Sequence, residues 1–261
     1  MRLAVCAEMV FLDLPFVERV RRIHAAGFDV ELWDARTKDI QALKATGAVF
    51  SSMTGYVSGS LVDPDTADDV VRTAESLIPT ALELGASRMV VHPAELLDGR
   101  AARPIYRSTG RMWATGARTL QRLGSLGEKY GMTFCLENLN TILDHPGIPL
   151  ARAKDTLALV EAAGHPNAKL MLDLYHAQLG EGNLIELVRS ALPYIGEIQV
   201  ADVPGRCEPG TGEINYVAVA RSLAEAGYEG TVGLESWAKD DSNAALDAFR
   251  TAFTVHAEVE R

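Results

Sequence analysis

Met132-Thr-Phe-Cys-Leu-Glu-Asn-Leu-Asn140 is an apolar run that stops on a carboxylate. Met132 to Leu136 has the length and composition of a short buried strand, and Glu137 and Asn138 follow it directly. Core packing alone does not ask for an acid there. A buried ionised carboxylate needs an opposite charge, hydrogen bonds or a metal. The same event recurs downstream: Asp173 ends Lys169-Leu-Met-Leu-Asp173, Gln199 lies inside Gly196-Glu-Ile-Gln-Val200, and Glu235 ends Thr231-Val-Gly-Leu-Glu235. These positions are 36, 26 and 36 residues apart, room for one strand, one helix and two loops each time. Four oxygen-bearing side chains therefore fall near the ends of four successive strands.

The rest of the chain repeats that unit. Strands are predicted at Arg2–Glu8, Val30–Asp34, Gly47–Met53, Ser87–Pro93, Met132–Leu136, Ala168–Asp173, Gly196–Ala201 and Thr231–Glu235. Helices are predicted at Leu14–Ala26, Ile40–Ala45, Pro64–Leu84, Tyr106–Tyr130, Thr156–Ala163, Glu181–Leu192, Tyr216–Ala226 and Asn243–Val259. Phe16, Val20 and Ile23 show helical spacing, and Gly27, Gly131 and Gly227 are helix stops. Pro64 suits a first helical position, and Pro79 predicts a kink or break. The segments from Pro93 to about Ile105, Asn140–Ala153 and Asp202–Asn215 read as loops. Strand-then-helix alternation means a parallel sheet, and eight units in 261 residues point to a single α/β domain, a closed (β/α)8 TIM barrel over 1–261. That fold places its chemistry at the C-terminal ends of its strands, where the four oxygen-bearing residues stand.

Composition narrows the partners. About half the residues (48 %) are apolar, yet no run approaches the ~20 apolar residues of a membrane span. The opening MRLAVCAEMVF reads as a strand rather than a signal peptide. Cys6, Cys135 and Cys207 are an odd number without metal-type spacing, and Cys6 and Cys135 read as core, which suits a reducing cytoplasm. A formal charge of −10 with no Lys/Arg block makes nucleic acid a poor partner. A homo-oligomer is compatible with the sequence.

Glu137, Asp173, Gln199 and Glu235 form an all-oxygen set that suits Mg²⁺ or Mn²⁺ better than Zn²⁺. Each acid taken singly could instead pair with an Arg or Lys; four together at strand ends favour a site. His176, three residues past Asp173, could bind a substrate hydroxyl or the metal, and Arg206 could clamp a carboxylate bidentately. His92 and Glu31 also fall at strand ends, where a supporting role suits them better than a catalytic one; His92 goes with the substrate-binding set. Glu208-Pro-Gly-Thr-Gly-Glu213 lacks the dinucleotide pattern and reads as a structural loop. Trp33, Trp113 and Trp237 read as packing residues, with Trp237 close enough to Glu235 to wall a pocket. His145 has no assigned role, and His24, His165 and His256 read as helix or loop surface.

The segments LENLN (136–140), DHPG (144–147), LDLYHAQ (172–178), IQVADVPGR (198–206), EPGTGEINY (208–216) and GYEGTVGLE (227–235) resemble the hydroxypyruvate isomerase family of xylose isomerase-like barrels. The resemblance covers the C-terminal half; the N-terminal half matches in architecture, and its strand 3 to strand 4 segment departs most. It implies that Glu137 and Glu235 are the acid/base pair, that Glu137, Asp173, Gln199 and Glu235 ring a divalent metal (Mg²⁺ or Mn²⁺), and that His176 and Arg206 hold the substrate. It further implies aldose–ketose isomerisation of a small hydroxy-oxo-acid, hydroxypyruvate to tartronate semialdehyde being the family example. Rival readings are a ketose 3-epimerase or a lyase on the same barrel, a DNA-repair endonuclease, and a non-catalytic sugar-binding barrel. The negative charge and the scattered histidines oppose the endonuclease, and two opposed glutamates are superfluous for binding alone.

Overall fold

The computed structural model describes residues 1–254. Its strands are β1 (Arg2–Cys6), β2 (Asp29–Leu32), β3 (Phe50–Thr54), β4 (Arg88–Val91), β5 (Leu96–Leu97), β6 (Arg100–Ala101), β7 (Thr133–Glu137), β8 (Ala168–Asp173), β9 (Ile195–Val200) and β10 (Thr231–Leu234). Its helices are α1 (Phe16–Ala25), α2 (Ile40–Lys44), α3 (Ala67–Leu84), α4 (Gly110–Tyr130), α5 (Ala153–Ala163), α6 (Leu174–Gly180), α7 (Leu184–Ala191), α8 (Tyr216–Glu225) and α9 (Ser242–Phe253). Eight strands close into a parallel barrel in the order β1-β2-β3-β4-β7-β8-β9-β10, and β5 and β6 pair as a small antiparallel hairpin. Strands covered by helices on their outer side read as continuous apolar runs, which is why the barrel was legible.

Several boundaries differ from the sequence expectation. Helix α3 starts at Ala67 rather than Pro64, because Asp63 turns the chain first: its Oδ1 accepts from Asp65 N and its carbonyl from Thr66 N. Pro79 does not break α3, whose buried face (Ala74, Leu77, Ile78, Ala81) holds the helix through the lost hydrogen bond. Helix α4 starts at Gly110 rather than Tyr106, since Ile105 N is drawn to Gly147 O at 2.7 Å. The helix expected over Glu181–Leu192 is preceded by an unforeseen one: α6 begins as soon as β8 ends, and α7 follows after Asn183. The segment after β4, expected as a plain loop, carries the β5–β6 hairpin. The last helix is seen to Phe253; its expected end at Val259, and His256, lie outside the described residues. His165 is half-buried against Gly124 rather than on the surface. Cys6 and Cys135 are buried as expected.

A second, smaller apolar cluster sits apart from the main core. Ala94, Leu139, Ile148 and Ala151 pack together, with Leu96 and Ala101 of the hairpin against them. The hairpin and the 139–151 loop thus share a core of their own. No described helix is long and apolar enough to cross a membrane.

Candidate active site

Register aligns the site laterally. Asp173 pairs with Gln199 across β8–β9, and Gln199 pairs with Gly233 across β9–β10, while Glu137 opposes Met171. Glu137, Gln199, Arg206, Glu235, His92 and Trp33 line one cavity of about 1030 Å³. One ligand atom each from Glu137, Asp173 and the buried His176 lie within 4.8 Å of one another. Glu235 stands outside that trio. Arg206 joins Glu235 to it, donating through Nη2 to Glu235 Oε2 and lying 4.0 Å from Asp173 Oδ2.

Each group is held from behind. Asp173 ends β8 and caps α6, its Oδ1 accepting from His176 N at 2.7 Å. Asn138 clamps the Asp173 backbone from both sides, donating to its carbonyl (2.9 Å) and accepting from its N–H (3.0 Å). Glu137 Oε2 lies 3.1 Å from His92 Nε2, and His92 Nδ1 lies 3.0 Å from Tyr56 Oη. Burial lowers the His92 pKa to about 4, so the ring is neutral; Tyr56 donates to Nδ1 and His92 Nε2–H donates to Glu137. Trp33, expected as packing, donates through Nε1 to Glu235 Oε1 at 2.6 Å and meets Trp237 edge-on.

His176 is fixed the same way. Asn140 Oδ1 accepts from Leu143 N and Asp144 N, which turns its amide nitrogen toward Asp144 Oδ2 and His176 Nδ1 (2.7 Å). His176 Nδ1 therefore accepts, and Nε2 carries the hydrogen. That Nε2 is buried without a hydrogen-bond partner, 3.8 Å from both Glu137 and Asp173. It offers a donor rather than a metal-binding lone pair.

Burial, with Glu235 alongside, pushes the Glu137 carboxyl well above its ordinary range. Burial does the same to Asp173, with Arg206 opposing. Burial works against the charge on Arg206, but Glu235, Asp173 and Glu137 outweigh it and keep the guanidinium protonated. Once ionised, three carboxylates against one guanidinium leave two negative charges to balance. A hard divalent cation fits this set: carboxylates plus Gln199 Oε1, which is buried without a hydrogen-bond partner.

The loop that carries Arg206 is built on Asp202, which is fully buried. Its carboxylate accepts from Val203 N, Ile214 N and Gly210 N at 2.9–3.0 Å. A Cβ at Gly212 would lie 2.1 Å from Val203 O, so the glycines of EPGTGE let the loop close on itself. Glu31 reaches over β10, where a Cβ at Gly233 would lie 1.8 Å from its Oε1. Burial, with Glu197 beside it, pushes the Glu31 carboxyl well up, while Arg88 lies 3.4 Å from Glu197. Sequence reasoning missed Trp33, Asn138, Asn140, Asp202 and Glu197. The two asparagines stood inside the quoted LENLN; the others act through contacts that no spacing marks.

Residues 13–253 match the family model described as xylose isomerase-like TIM barrel. A Streptomyces coelicolor protein named as a candidate hydroxypyruvate isomerase is 30 % identical over 267 residues, covering 93 % of this chain and 93 % of its own. The Haemophilus influenzae 2-oxo-tetronate isomerase is 30 % identical over 261 residues, covering 95 % and 98 %. Among solved structures, one named AP endonuclease, family 2, from Brucella melitensis superposes with a TM-score of 0.83 at 25 % identity, covering 96 % of this chain and 98 % of that one. The chain belongs to the xylose isomerase-like TIM barrel family and is an enzyme of the isomerase type.

Proposed function

We propose that this enzyme interconverts the aldose and ketose forms of a small hydroxy-oxo-acid, in the manner of hydroxypyruvate to tartronate semialdehyde or its four-carbon counterpart. The observation that carries this reading is the pair Glu137 and Glu235 lining one cavity, with Arg206 joining Glu235 to Asp173. One glutamate takes the proton from the hydroxyl-bearing carbon, the other, starting protonated, returns one to the neighbouring carbon, and the proton of the hydroxyl oxygen passes to the former carbonyl oxygen. His92 and Tyr56 hold Glu137 in place for this, and Trp33 and Arg206 hold Glu235. His176 Nε2–H, without a partner in the free site, donates to the oxygen on which charge builds. Arg206 keeps Nε unpaired and buried, a donor for the substrate carboxylate.

Glu137, Asp173, Gln199 and Glu235 would hold a divalent cation, Mg²⁺ or Mn²⁺, which supplies Lewis-acid stabilisation of the enediolate. Positioned proton transfer contributes about 10²–10⁴-fold. The remainder falls to fixed charges and donors around the enediolate.

The cavity volume favours a second reading. About 1030 Å³ is the space of a drug-sized ligand, far more than a three-carbon acid fills. A ketose 3-epimerase uses the same enediolate chemistry on a longer chain. DNA cleavage is disfavoured by the charge of −10. Turnover against three- and four-carbon hydroxy-oxo-acids and free ketohexoses, with Mg²⁺ or Mn²⁺ present, tests the proposal. Conversion of an oxo-acid supports it; conversion of ketohexoses alone supports the epimerase, and no conversion of either overturns both.

A further inference from the structure

His145 stands in DHPG (144–147) and takes no part in the proton transfers proposed for Glu137 and Glu235. His145 is buried between two elements that belong to different parts of the molecule. On one side its Nδ1 lies 2.6 Å from Gly99 O, at the tip of the β5–β6 hairpin. A carbonyl only accepts, so Nδ1 carries the hydrogen. On the other side its ring meets the His176 ring edge-on, centroids 5.1 Å apart at 70°. Leu96, Leu97, Asp98, Gly99 and Arg100 of the hairpin line the cavity.

The supports around His145 are all local to this cover. His145 N donates to Asn140 O, and Asn140 is the residue that fixes the His176 tautomer. Ile105 N donates to Gly147 O, beyond the hairpin, and Gly147 sits against Pro104 where a side chain would collide. The shared apolar cluster of Ala94, Leu139, Ile148 and Ala151 backs both pieces. Hairpin tip and His176 are thus tied through one imidazole. Burial lowers the His145 pKa to about 4, so the ring is neutral at neutral pH with its one hydrogen on Nδ1.

We propose that His145 is a positioning residue that clasps the hairpin over the cavity and steadies His176, and so sets how tightly the cavity holds its substrate. It acts through Gly99 and His176 rather than on the reacting carbons. The kinetic consequence rests on the isomerase reading; the structural one does not.

Two variants separate the donor from the ring. His145→Phe keeps an aromatic ring and loses the donor, whereas His145→Asn keeps a donor near the Nδ1 position. For His145→Phe we expect KM to rise about 10-fold, the worth of one buried hydrogen bond, with kcat within about threefold. Hydrogen exchange of amides 97–101 should quicken by about 10-fold while β7 and β8 stay protected, and His145→Asn should return both readouts toward wild type. Wild-type KM and exchange in His145→Phe would overturn the proposal. Equal impairment of both variants would also overturn it, since the ring's bulk and not its donor would then matter. Faster hairpin exchange in an enzyme that turns over no compound of the panel would support the clasp and reject only the substrate reading.

Discussion

Arg206 reaches Glu235 from a left-handed backbone: φ is 54° and Nη2 lies 2.5 Å from Glu235 Oε2. A side chain at positive φ is held there by its surroundings. Here Arg206 N donates to Asp202 O and Arg206 O accepts from Trp237 N. The second oxygen of Glu235 belongs to Trp33, so the carboxylate is aimed from both sides. We expect Arg206→Lys, which keeps the charge and loses the planar fork, to lower kcat/KM by about 10²-fold. Trp33→Phe removes a single neutral donor and should cost about 10-fold. Steady-state kinetics on variants with unchanged circular dichroism check both values.

Asp202 should matter more than its distance from the chemistry suggests. Asp202→Asn turns an amide nitrogen toward at least one backbone N–H, so a buried donor is left unpaired. A loss of about 1–3 kcal/mol is expected in urea unfolding. The loop that sets Arg206 loosens with it, so kcat/KM should fall by more than the fraction unfolded explains. Unchanged kinetics in a destabilised variant would detach the loop from the site.

Cation binding should depend on pH in a stated direction. Burial raises the Glu137 and Asp173 carboxyls above their ordinary range. The cation-free folded state therefore binds more protons than the unfolded chain above about pH 4, and these two groups cost stability as pH rises. A cation needs them ionised and offsets that cost. The Tm gain from millimolar Mn²⁺ should be larger at pH 8 than at pH 6, and absent in Glu137→Gln/Asp173→Asn. Equal gains in that double variant would place the ion elsewhere.

His92 carries the opposite sign. Its pKa falls to about 4 in the folded protein, against an unfolded value of about 6.5. The unfolded chain takes up the proton first, so the stability His92 permits at neutral pH is lost as pH falls from about 6.5 toward 4. Relative to wild type, His92→Gln should gain stability between pH 7 and pH 5, by about 1 kcal/mol or more in urea unfolding. A difference that does not move with pH would contradict a neutral buried ring.

The barrel was legible because apolar runs recur at the spacing of a strand-and-helix unit, and three of them run into a carboxylate. Glu137, Asp173 and Glu235 announced themselves in that way; Glu137 and Asp173 meet beside His176, and Arg206 links Glu235 to Asp173. Helix α6 was not legible, since Leu174-Tyr-His-Ala-Gln178 continues the strand without a loop and Asp173 serves both as strand end and cap. Trp33 was read as packing because its partner is 202 residues away. The β5–β6 hairpin is too short to show a period-two pattern. His145 had no visible role until the hairpin gave its Nδ1 an acceptor.

The most direct test of the acid/base pair is proton NMR of the oxo-acid substrate in D₂O. With wild-type enzyme and Mg²⁺, deuterium should enter the carbon next to the carbonyl as the isomer forms. Glu137→Gln and Glu235→Gln should each stop isomer formation, with the fold preserved by circular dichroism. Isomer appearing within a few-fold of the wild-type rate in either variant would contradict the account.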